Sequence, residues 1–189
     1  MTKIAVITDT DSSLPPQVAE LYGIRQVPIT IQFDGESFTT GIDIDDASVF
    51  EKIDRIKKLP TTAAPSPKAF ATAYEQAFHD GADAIVCLCV SSKVSATYNS
   101  AVSACEFFPG REIEVVDSLN LSMGQGWMAI AAAEAAQEGA SKEEVVARAL
   151  STGARTHLYA VLSTLKYLAL SGRVGKIAAG IADTINIKP

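Results

Sequence analysis

Residues 85–101 read IVCLCVSSKVSATYNSA. The first six are apolar without a break. Ser91, Ser92, Ser95, Thr97, Tyr98 and Ser100 then follow, with no acid and no histidine among them. A strand with one wet face alternates, so an unbroken apolar run of this length reads as a strand covered on both faces. Helices on either side of a parallel sheet give such cover. The hydroxyl-rich segment then sits where that strand hands over to a helix.

The pattern recurs along the chain. Short apolar or β-branched runs at 4–8, 25–33, 85–90, 113–116 and 160–163 read as strands. Helix-period stretches at 16–22, 47–57, 67–78, 96–107, 123–137 and 142–151 separate most of them. This alternation predicts an α/β fold, a mostly parallel N-terminal sheet with helices on both faces. Helix starts are marked by Ser12 or Ser13 before Leu14-Pro15-Pro16, by Ser66-Pro67, and by Ser141 with Glu144 in a capping box. Gly139 reads as a helix end. The Asp34-Gly35 pair between β-type runs predicts a hairpin around residues 30–40, an excursion open to a second layer or a second domain.

Beyond Gly153 the reading is a strand over 159–164, a short helix, a turn at Gly172-Arg173-Val174-Gly175-Lys176, another helix, and an extended run at 185–189. Residues 1–153 are therefore expected to form an N-terminal α/β domain. Residues 154–189 are expected to begin a second α/β domain, and a chain ending where a strand begins reads as truncated.

The 189 residues are 48% hydrophobic and 20% charged, as in an ordinary globular protein. A net charge of −6 with scattered basic residues argues against a nucleic-acid partner. Three cysteines, Cys87, Cys89 and Cys105, form no even disulfide framework and suit a reducing cytoplasm. Cys87 and Cys89 share a strand face, but no second Cys or His cluster completes a metal site, so they read as small buried hydrophobes. The apolar N-terminal run is too short for a secretory signal, and the apolar stretch around 127–136 is interrupted by Glu134 and too short for a membrane span.

Chemistry is concentrated on loops. The segments 8–13 (TDTDSS), 91–101 and 117–122 (DSLNLS) each follow a strand, and 60–66 (PTTAAPS) precedes a helix. Ligands of open α/β sheets bind beyond the C-terminal strand ends, so these loops could share one crevice. Capping accounts for some of the hydroxyls. The excess suits an anion held without proton transfer. His79 and His157 have no motif spacing to a nucleophile, and Asp9 and Asp11 read as turn residues rather than metal ligands.

Gly124-Gln125-Gly126-Trp127-Met128-Ala129 fits the dinucleotide pattern and supports a nucleotide-dependent enzyme as the alternative reading. Against it, the glycines do not directly follow the strand, and Trp127 is bulky where a phosphate would approach. Arg173, in a turn, reads as a solvated charge or as an anchor for a partner protein or an anionic group.

Taken in order, the segments 7–15, 62–67, 91–101, 117–124 and 165–189 resemble the DegV family of bacterial fatty-acid-binding proteins. The resemblance implies two α/β domains with a long-chain fatty acid such as palmitate buried between them. It further implies Thr62 and Ser95 as the carboxylate ligands, with Thr97 and Ser122 as further pocket residues. No metal and no other cofactor is implied. The protein would not itself be an enzyme but would present the acyl chain to a separate fatty acid kinase, which makes acyl phosphate for phospholipid synthesis. Arg173 matches the residue associated with that step. The chain departs from the family where its Thr-Ser-Gln-Pro-Ser loop reads Thr62-Ala63-Ala64-Pro65-Ser66. It is also shorter than family members, whose further length carries a histidine that helps hold the carboxylate.

Overall fold

A computed structural model describes residues 2–161 and 171–173. The run at 85–90 forms β6 (Ala84–Cys89), buried at every position. It pairs in parallel with β1 (Ile4–Asp9) on one side and β7 (Glu112–Asp117) on the other. β2 (Arg25–Val27) pairs in parallel with β1, giving the sheet order β2-β1-β6-β7. β7 is an edge strand, which is why it is only partly buried.

Helices cover both faces, as the unbroken apolar runs require. Val86 and Leu88 of β6, with Ile4 and Val6 of β1, pack on α1 (Pro16–Tyr22), α5 (Met123–Gln137) and α6 (Lys142–Arg155). The alternate residues Ile85, Cys87 and Cys89, with Ile7, pack on α3 (Pro67–His79) and α4 (Thr97–Ala104). The Cys87 and Cys89 sulfurs lie 3.8 Å apart in this second core, and the described residues contain no cluster able to hold a metal. α5 can lie close because its inward face is small: Ala129, Ala132 and Ala133 are buried on it. No helix among the described residues is long and apolar enough to cross a membrane.

The expected strand at 25–33 is in fact two. Pro28 has no N–H to donate and breaks the ladder, so β2 stays in the large sheet. β3 (Thr30–Phe33) starts a second, antiparallel sheet of order β4-β3-β5. β4 (Glu36–Thr39) follows the expected hairpin turn, with Asp34 at φ +44° and Gly35 at φ +91°, the backbone of a type I′ turn. β5 (Thr61–Ala63) is a strand where a loop was expected. α2 (Asp46–Ile56) covers this sheet, setting Val49, Ile53 and Ile56 on Ile31, Phe33 and Ile44.

Two of the three expected helix starts hold. Ser66 caps α3, and Ser141 and Glu144 form the reciprocal capping box of α6. Ser141→Ala should lower unfolding free energy by about 1 kcal/mol, seen as a lower urea midpoint at unchanged slope. An unmoved midpoint would show that the box adds nothing. The third lacks its serine cap, although the helix begins at Pro16 with proline in its first turn as expected. α1 has Pro15 at its cap position with no side-chain bond, and Ser12 is buried in a 3₁₀ turn over Thr10–Ser12 capped by Asp9. α6 runs through Gly153 to Arg155, and Tyr159 to Val161 form no strand. The rest of the expected second domain, and the strand at 160–163 beyond Val161, lie outside the described residues.

Candidate functional site

Parallel strands deliver their C-terminal ends to one edge, so the loops after β1, β6 and β7 meet there. The small sheet stands opposite. Between them lies a cleft of about 1370 Å³. Thr10, Asp11 and Ser13 reach it from the first loop, Val90, Val94 and Ser95 from the second, and Leu121 and Ser122 from the third. The small sheet and its connections contribute Ile31, Ile44, Leu59, Thr61 and Thr62. The cleft is thus lined by aliphatic side chains interspersed with hydroxyls. A neighbouring lobe of about 490 Å³ shares Thr62, Ser95 and Arg173 with it.

Two carboxylates brace the loops. Asp9, at the end of β1, accepts the Val90 N–H at 2.9 Å and the Asp11 N–H at 3.0 Å. Asp117, at the end of β7, accepts the Ser92 N–H at 3.0 Å, the Ser92 hydroxyl at 2.5 Å and the Leu119 N–H at 3.1 Å. Ser91 donates its N–H to the Asn120 carbonyl at 2.9 Å. Leu119 and Ser122 are held at φ +50° and +51°, a strained conformation for residues other than glycine, in the loop facing the cleft.

The hydroxyls of residues 91–100 have separate partners, and neither Ser91 nor Ser92 caps the following helix. α4 begins at Thr97, and neither serine reaches its amides. Ser91 Oγ instead accepts the Lys93 N–H, and Ser92 is bound to Asp117. Ser95 is half-buried and accepts the Thr97 N–H at 3.3 Å. Its hydroxyl lies 2.8 Å from that of Thr97. Thr97 is fully buried and lies behind Ser95, not on the cleft wall. Ser122 is on the wall and donates to Ser13 Oγ at 3.1 Å. Thr62, exposed on β5, faces the same space as Ser95. The structure therefore brings Thr62, Ser95 and Ser122 to one cleft, with Thr97 supporting Ser95.

Arg173 lines the cleft and its smaller lobe, follows Gly172 at φ +74°, and donates to the Ser171 carbonyl at 2.6 Å; the remainder of the expected turn lies outside the described residues. It faces Asp11. Burial raises the Asp11 carboxyl above its ordinary range, and the Arg173 charge opposes that rise. Burial pushes Asp9 up to about 7. Asp9 and Asp117 were not legible as braces, because their partners are 81 and 25 residues away. The only sequence signal was an Asp closing each apolar strand.

The glycines of residues 124–129 have a packing role. A Cβ on Gly126 would sit 2.8 Å from the Ser12 carbonyl oxygen, and one on Gly124 would sit 2.8 Å from Asn120 Oδ1. They let α5 approach the loops, and none of these six residues lines the cleft.

A family model described as "Uncharacterised protein, DegV family COG1307" matches residues 3–189. The DegV domain-containing protein TTE1491 of Caldanaerobacter subterraneus subsp. tengcongensis is 38% identical over all of this chain and 67% of its own length. SCO2569 of Streptomyces coelicolor, of the same description, is 33% identical over 98% of this chain and 66% of its own. Among solved structures, a DegV family protein from Thermus thermophilus described as binding fatty acid matches with TM-score 0.86 and 34% identity, over 100% of this chain and 66% of that one. DegV of Bacillus subtilis, described as a fatty acid binding protein, matches with TM-score 0.89 and 28% identity, over 100% and 67%. The chain spans about two thirds of the length of these relatives. With the family model matching nearly every residue and the fold matching throughout, the chain belongs to the DegV family.

Proposed function

We propose that this protein binds a long-chain fatty acid in the cleft. Its carboxylate is held by the hydroxyls of Thr62 and Ser95, with Ser122 on the adjoining wall. The observation carrying this reading is one space walled by Ile31, Ile44, Leu59 and Leu121 into which Thr62 and Ser95 both open, the same two residues also lining a smaller adjoining lobe. The cleft exceeds the roughly 300–1,000 Å³ of ordinary small-ligand pockets, which suits an extended ligand. A buried methylene contributes about 0.8 kcal/mol, so a long acyl chain supplies roughly 10 kcal/mol before ordering costs. The hydroxyls fix orientation and offset desolvation of the carboxylate.

Thr97 sets the polarity of the head-group site in this scheme. Its buried hydroxyl lies 2.8 Å from Ser95 Oγ, and with Thr97 taken as the donor of that pair the Ser95 proton is free for the ligand. Among the described residues, no histidine lines the cleft. The protein acts as a carrier in the cytoplasm and presents the acyl chain to a separate kinase for acyl-phosphate formation, with Arg173 at the mouth as the coupling residue.

Native mass spectrometry of the full-length protein after gentle purification tests the reading. One bound fatty acid, or uptake of palmitate when offered, is the expected result. A protein that arrives empty and takes up none overturns it.

A further inference from the structure

Asp9 is a buried acid with no cation of its own among the described residues. It is fully buried at the end of β1 and takes part in none of the ion pairs found there. Two backbone N–H groups partly compensate it. The side-chain amide of Gln125 lies beside it, also fully buried. Gln125 Nε2 is committed to Thr8 Oγ1 at 2.8 Å and to the Leu88 carbonyl at 3.2 Å, while Oε1 has no donor among the described residues. Buried acceptors without a donor are rare and costly. A protonated Asp9 brings a donor into this pocket of acceptors, and an ionised one brings none.

Beyond these two amides, only the Gln125 side chain among the described groups favours the ionised form, and it does not offset the burial. Asp11, on the same loop, adds like charge. Cys89, on β6, is a buried thiol pushed well above its usual range. Gln125, on α5, is neutral. Asp117, at the end of β7, faces Cys89, and Arg173 faces Asp11.

The position of Asp9 gives this a consequence. The residues whose amides it holds, Val90 and Asp11, line the cleft together with Thr10. An anion in the cleft therefore shares that space with the backbone that the buried carboxyl holds. We propose that binding of a carboxylate head group in the cleft is coupled to uptake of one proton from solvent by Asp9. This rests on the carboxylate-binding reading given above.

The direction follows from like charge. Burial already holds the free Asp9 near 7. A second negative charge nearby raises it further. Over the pH range between the free and bound values the complex carries more protons than its parts. Affinity is then flat below about pH 7 and falls as pH rises above it. Each unit by which the ligand raises Asp9 is worth a factor of ten.

The test is calorimetric titration of the full-length protein with decanoate, kept below its micelle concentration and fully ionised throughout, at pH 6, 7 and 8.5. Each pH is run in two buffers of different ionisation enthalpy. The wild type should lose about tenfold in affinity across the range and show buffer-dependent heat from proton uptake. Asp9→Asn, which keeps the shape and cannot titrate, should bind with neither the pH slope nor the buffer dependence. Wild-type binding without a slope and without proton uptake overturns the coupling alone, as does a wild-type slope retained in Asp9→Asn. Should that variant fail to fold, carbon-13 titration of the wild-type Asp9 carboxyl with and without decanoate takes its place. A midpoint raised by decanoate is then the expected result, and an unmoved midpoint overturns the proposal. No decanoate binding at any pH overturns the carboxylate-binding reading, and the coupling with it.

Discussion

Replacing Thr62 with Val and Ser95 with Ala together should weaken fatty-acid binding by roughly 10²–10⁴-fold. A hydrogen bond to a charged group contributes about 1.5–3 kcal/mol, and every 1.4 kcal/mol is tenfold in affinity. The two hydroxyls come from opposite sides of the cleft, Thr62 from the small sheet and Ser95 from the loop after β6. Each single variant should lose about one to two orders of magnitude, and the pair should be close to additive unless the head group moves to the remaining hydroxyl. The variant should leave the apolar walls unchanged. Affinity measured along a series of acyl lengths should therefore rise by the same increment per methylene as in the wild type. Unchanged affinity in the double variant would place the carboxylate elsewhere. A reduced increment per methylene would show that the walls had been disturbed instead. Thr97→Val should reproduce part of the Ser95→Ala effect without touching the ligand, because Thr97 lies behind Ser95.

Both buried strands of the large sheet were legible because their signal is local. The runs at 4–8 and 85–90 owe their unbroken apolar character to helices on both sides, and no distant partner has to be known to read them. β5 was not legible. Thr61 to Ala63 is exposed at every position and has no apolar residue to bury beyond a methyl. Its strand character comes from pairing with β3, where Gln32 meets Thr61 and Ile31 meets Thr62. The same non-local logic hid the two braces of the site. The hydroxyl run 91–100 reads as shared between capping and ligand binding, yet its serines have other partners. Ser91 turns its own loop, Ser92 binds Asp117, and Ser95 faces the cleft. Those tasks depend on which strand end lies alongside, and that is a property of sheet order.

Tyr74→Ala should be among the most destabilising single substitutions in the described fold, costing roughly 3–5 kcal/mol. Tyr74 is fully buried on α3 and meets Phe70 and Phe108 at ring-centroid distances of 6.1 and 6.0 Å. Its removal leaves a cavity among Cys87, Cys89 and α4. The hydroxyl has a separate task. The helix ahead of Cys105 tightens into a 3₁₀ turn, with the Cys105 N–H directed to Val102 and Ser103. The Ala101 carbonyl therefore lacks its usual amide partner. Tyr74 donates to it at 3.1 Å, and the Cys105 thiol adds a weak contact at 3.6 Å. Tyr74→Phe keeps the ring and strands that carbonyl, so it should cost about 1–3 kcal/mol. Burial pushes the phenol well above its ordinary range, so it stays neutral and this contribution should be flat from pH 6 to 9. Urea denaturation of the two variants separates ring from hydroxyl. A Phe variant as stable as the wild type would show that the thiol alone satisfies Ala101. The site should register the difference as well. Tyr74 ties α3 to the same α4 whose first residue supports Ser95, so Tyr74→Phe should loosen amide protection at residues 95–101 before it measurably changes ligand affinity.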